Sequence, residues 1–132
     1  MLVLSDVRTA LRLDAAASGA MGLLFLLAAP PLAPMLGLPV ALLRVVGAGL
    51  VPFAAALVWL AARERPPRGL VLAVVLGNAA WVAASLLLLT SDAVAPTPIG
   101  VLVVLAQAAA VAAFTWLESR GLRRGRALAA SA

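Results

Sequence analysis

Arg63-Glu64-Arg65-Pro66-Pro67-Arg68-Gly69 is the one dense charge cluster between the two ends of the chain. Twenty-three mostly apolar residues (40–62) run into it and twenty (70–89) run out of it. The hydrocarbon core of a bilayer is ~30 Å thick, and about 20 helical residues cross it. The cluster therefore reads as a polar elbow between two membrane spans. Its arginines mark the side of the membrane it occupies.

Working outward, the composition agrees. Of 132 residues, 65% are hydrophobic, where a soluble domain is about half apolar. Mean hydropathy is +1.15. This fits a single-domain polytopic membrane protein. The net charge of +5 comes from ten arginines, nine of them near helix ends, which reads as membrane orientation and not as a nucleic-acid surface. Cys, His, Lys and Tyr are absent. That removes thiol and disulfide chemistry, the usual haem and zinc ligands, and any Schiff base. No nucleophile–base pair or metal-ligand cluster is visible, so the reading is non-enzymatic, with no cofactor. The preference for Arg and Ala fits a GC-rich bacterial genome.

The spans follow in order: residues 11–29, 40–62, 70–89 and 99–117, with a basic tail over 118–132 expected to be disordered at its end. Ser5 is the expected N-cap of the opening segment, with Asp6 in its first turn. A secretory signal peptide competes for the N-terminus, but Asp6 and Asp14 stand where such peptides are usually basic. Residues 30–39 form an uncharged Pro-rich connection. Pro52 interrupts the second span and frees the carbonyl of Ala48, and Ser85 is predicted to help satisfy it. Trp59-Leu60 before Arg63 and Trp116-Leu117 before Arg120 repeat at one spacing. A duplicated hairpin would explain this; so would convergence, since Trp and Arg both favour the interface.

Small residues mark faces for close helix approach: Ser18 and Gly22; Ala73, Gly77, Ala80 and Ala84; Ala106, Ala110 and Ala113. They fit a packed intramolecular bundle or a dimer interface. The polar residues at depth are few. Asn78, Trp81 and Ser85 share one face of the third span, and Gln107, Phe114 and Glu118 one face of the fourth. Asn78 and Gln107 read as interhelical glue, worth ~0.6 kcal/mol on average, or as a ligand spot. On the second reading a cavity between the first, third and fourth spans is lined by Asn78, Trp81 and Gln107, with Asp14 at its mouth. Asp14 otherwise pairs with Arg68, Arg120 or Arg123 at the rim, or couples protons. Arg44, the lone arginine of the other side, reaches lipid headgroups by snorkelling or holds a substrate anion.

One resemblance is carried by Leu23-Leu24-Phe25-Leu26-Leu27-Ala28, then Leu36-Gly37-Leu38-Pro39, then Arg44-Val45-Val46-Gly47. These residues resemble the DoxX-like group of small four-span bacterial inner-membrane proteins, over roughly the first 50 positions. The resemblance implies a four-span bundle. Some relatives are linked to thiol redox complexes, which this Cys-free chain does not carry over.

The expected architecture is an all-α, four-transmembrane-helix up-and-down bundle in a bacterial inner membrane. By the nine-to-one count of arginines both termini are cytoplasmic. The expected function is that of an accessory or scaffold subunit of a membrane assembly, or of a binder of a lipid-like molecule. Its expected partners are membrane lipid and other subunits or a second copy, with no nucleic acid. The alternative is a small proton-coupled multidrug-type transporter using Asp14.

Overall fold

The computed structural model describes residues 2–131, with side chains from residue 7 onward. Four helices follow one another: α1 (Leu2–Leu36), α2 (Val40–Ala61), α3 (Arg68–Thr90) and α4 (Pro98–Ser131). Each is long and apolar enough to cross a membrane. Among the described residues there is no strand, and the fold is an up-and-down four-helix bundle. The expected N-cap at Ser5 and its neighbour Asp6 fall among residues whose side chains lie outside the described ones.

Two helices run past their expected ends. The Pro-rich connection over 30–39 is helical as far as Leu36. Ala28 leaves helical geometry (φ −119°, ψ 21°), which kinks α1 and starts a new helical stretch after it. Pro30 and Pro31 fall in the first turn of that stretch, where backbone N–H groups have no intrahelical partner to lose. The basic tail is likewise helical, to Ser131. Arg and Leu are good helix formers. Gly121 lies buried against Val7 of α1, which docks this extension onto the bundle.

The turns explain themselves locally. Gly37 takes a positive φ of 67° just past α1, and the N–H groups of Gly37 and Leu38 both donate to the Ala33 carbonyl (2.9 and 3.2 Å). Thr97 caps α4, its hydroxyl accepting from Gly100 N–H at 3.0 Å, with Pro98 at the first helical position. Thr97 also donates to the Met35 and Leu36 carbonyls, so the α3–α4 loop is clipped to the end of α1.

α1 packs along α2 and α4, and α3 along α4. Gly22 and Gly47 set the α1–α2 approach: a Cβ on Gly47 would stand 2.7 Å from the Gly22 carbonyl oxygen. Two apolar clusters fill the ends. One joins Val7, Leu11, Leu57, Leu60 and Val71 near the elbow, and the other joins Phe25, Ala29, Leu36, Leu43 and Val104. No comparable seam joins α2 to α3. The small face of α3 does not close a helix contact as expected, because Ala73, Gly77, Ala80 and Ala84 are all exposed. At the elbow end, Arg63 stacks over Trp59 and Arg120 over Trp116, with centroid distances of 4.1 and 5.0 Å. The repeated Trp/Arg spacing is thus two i, i+4 stacks.

Candidate functional site

The polar residues at depth form two separate networks, one above the other. The first joins α1, α3 and α4 near the elbow end. Asp14, Ser18, Asn78 and Glu118 are all buried, and Asp14 and Glu118 show no exposure at all. Ser18 Oγ donates to Asp14 Oδ1 at 3.0 Å, one turn along α1. Asn78 Nδ2 donates to Asp14 Oδ2 at 2.7 Å and to Glu118 Oε2 at 3.3 Å. Asn78 Nδ2 thus bridges the two carboxyl groups. Glu118 Oε1 is buried with no partner.

This corrects two expectations. Among the described residues Asp14 makes no rim ion pair with Arg68, Arg120 or Arg123, and it lines none of the three cavities described below. Its partners are Ser18 and Asn78, while Arg68 donates to the Leu122 carbonyl at 3.2 Å and Arg120 stacks on Trp116. Placed inside the bundle by α1, it takes the nearest neutral donors. Glu118 was not expected here, because the basic tail was drawn to start at that residue. Its shared face with Gln107 and Phe114 was the signal that could have found it.

The second network lies between α3 and α4. Trp81 Nε1 donates to Gln107 Oε1 at 2.7 Å. Gln107 Nε2 donates to Ser85 Oγ at 3.0 Å and to the Val104 carbonyl at 2.9 Å. Ser85 Oγ donates to the Trp81 carbonyl at 2.8 Å. Ser85 is therefore committed within this network and does not serve the Ala48 carbonyl freed by Pro52. A serine inside a helix bonds readily to the carbonyl four residues back.

Three cavities meet at Trp81, which lines each of them. The largest, about 390 Å³, lies between α2 and α3. Gly49, Phe53, Gly77 and Asn78 line it, with Ser18 of α1 behind. A Cβ added to Gly49 or Gly77 would meet nothing within 4 Å. A second, about 220 Å³, lies inside the bundle toward the Arg44 end and is bounded by all four helices, among them Phe25, Val46, Ala84, Leu88 and Val104. A third, about 250 Å³, lies between α1 and α4 and is lined by Ser18, Trp81, Gln107 and Phe114. The expected cavity is thus divided. Gln107 lines the α1–α4 space and the second one, Asn78 lines only the α2–α3 space, Trp81 borders all three, and Asp14 lines none of them. Arg44 is exposed near the start of α2, at the end of the bundle away from the elbow.

The sequence matches no protein-family model, and neither a curated protein nor a solved structure shows significant similarity to it.

Proposed function

We infer that this small integral membrane protein binds a lipid-like molecule with one long apolar chain, taken up sideways from the bilayer between α2 and α3. The open α2–α3 seam carries this reading. Along it, Ala73, Gly77, Ala84 and Leu88 of α3 line consecutive apolar spaces. From Ala73 to Leu88 the groove is ~22 Å long at 1.5 Å per helical residue, most of the ~30 Å hydrocarbon thickness. Small side chains on that face widen the groove where they would otherwise bring two helices together. The groove also has a polar point. Asn78 Nδ2 is directed at the two carboxyl groups, so its Oδ1 remains to accept. The matching ligand carries a donor, a hydroxyl or an N–H, part way along its length.

The test is native mass spectrometry of protein extracted gently with its own membrane lipids. The expected spectrum shows one retained lipid-like adduct. Gly77→Leu and Gly49→Leu fill the groove without touching the fold, and each is expected to lower adduct occupancy about tenfold, ~1.4 kcal/mol. Equal retention in the filled variants would sink the reading.

Orientation follows from charge. Nine arginines lie at the elbow end and Arg44 at the other, so the elbow and both termini are proposed to be cytoplasmic, in a bacterial inner membrane. With no native Cys, single-cysteine labelling is clean. An impermeant reagent outside intact cells is expected to label Asp92→Cys and not Arg65→Cys. The reverse pattern would invert the topology.

A further inference from the structure

We propose that Asp14 and Glu118 together form a proton-binding site inside the bundle, holding one proton between them. The geometry of the pair is the same whatever occupies the groove. Two carboxyl groups with no exposure share the N–H groups of one amide, Asn78 Nδ2. Among the described residues their one other donor is Ser18, which serves Asp14. Like charges this close and this dry cannot both persist, because a buried carboxylate needs an opposing charge or a full set of donors.

Four arginines of this end are committed elsewhere. Arg8 Nε donates to the Ala61 carbonyl at 2.9 Å and Arg68 to Leu122. Arg63 and Arg120 stack on their tryptophans. Arg12, Glu64, Arg65 and Arg123 are exposed. Arg124 lines, with Arg120, a cavity on the outer side of the α1–α4 seam. At the level of the pair, α2 presents the apolar Ala54 and Leu57.

The orphan oxygen locates the proton. Glu118 Oε1 is buried and accepts nothing. A proton there makes it an O–H that donates to Asp14, and the vacancy in the hydrogen-bond inventory closes. Asp14, with donors from Ser18 and Asn78, is the member equipped to stay a carboxylate. An elbow-end cavity of about 250 Å³ is lined by Ala10, Leu13, Leu117 and Gly121, and neither acid lines it. Leu13 and Leu117 are the acids' immediate chain neighbours.

Infrared spectroscopy of the protein in lipid nanodiscs at neutral pH tests this through the carboxylic-acid C=O stretch. The wild type is expected to show a protonated-acid band that shifts on exchange into D2O. Glu118→Gln replaces the acid O–H by an amide N–H to Asp14; it is expected to remain folded and to lose the band to baseline. Should that variant not fold, the neutral pair Asp14→Asn with Glu118→Gln is expected to fold and to lack the band. Absence of the band in the wild type, or its persistence in either variant, would overturn the proposal.

Discussion

Asn78→Leu is expected to destabilise the bundle by about 2–3 kcal/mol, the cost of taking a hydrogen-bond donor from a buried charged group. Ordinary amide glue between membrane helices is worth ~0.6 kcal/mol on average. The difference arises from what the amide touches. Asn78 is the one residue that hydrogen-bonds both carboxyl groups, and both are fully buried. Leucine supplies no donor, which leaves the pair only Ser18 and the proton they share. Unfolding of the variant in mixed micelles, followed by helical signal against denaturing detergent, measures the loss. Repeating the substitution with Asp14→Asn and Glu118→Gln in place should recover most of it, since the neutral pair no longer needs the same donor; that cycle isolates the coupling. Gln107→Leu is the comparison. Its partners Trp81, Ser85 and a backbone carbonyl are neutral, so about 1 kcal/mol is expected. A loss for Asn78→Leu no greater than that for Gln107→Leu would mean the amide is glue after all.

The spans were legible in the sequence because apolar length over ~20 residues has one common explanation in a bilayer. Their ends were less so. Pro30 and Pro31 look like a connection, but whether proline stops a helix depends on the turn it occupies. The kink at Ala28 that puts them in a first turn has no local signature in the chain. The arginines after Leu117 look like a tail, yet a helix continues through charge once it has something to dock on, here Val7 against Gly121.

The candidate site was legible as a set of faces and not as contacts. Period 3.6 put Asn78, Trp81 and Ser85 together, and Gln107, Phe114 and Glu118 together. It did not fix rotation about each helix axis. So the Trp81–Gln107 pair came out level, while Ser85 was assigned to α2 when it faces α4. The Ala73–Gly77–Ala80–Ala84 stripe was likewise correct as a face. What a small face borders, a neighbour or a gap, is decided by the other helices.

Gly47→Ala and Gly49→Ala are expected to move stability in opposite directions. Two residues on a helix are about 200° apart, so the two glycines look to opposite sides of α2. At Gly47 a methyl group would lie 2.7 Å from the Gly22 carbonyl oxygen and 3.0 Å from the Leu26 amide nitrogen. Both are backbone atoms of α1, so relief requires α1 and α2 to part. That contact runs beside the kinked half of α1, and its loosening disturbs the Phe25 and Leu43 cluster as well. Overpacking of this kind costs about 1–3 kcal/mol, and Gly47→Leu should prevent assembly of the bundle. At Gly49 nothing stands within 4 Å. Alanine there removes backbone freedom from the unfolded chain at no steric cost, a gain of about 0.5–1 kcal/mol. Thermal melts of the two variants in the same detergent make the comparison. Gly47→Ala should melt below the wild type and Gly49→Ala at or above it. Equal shifts would mean that α1 does not lean on α2 at Gly47, and with that the tight α1–α2 seam opposite the open groove would be lost.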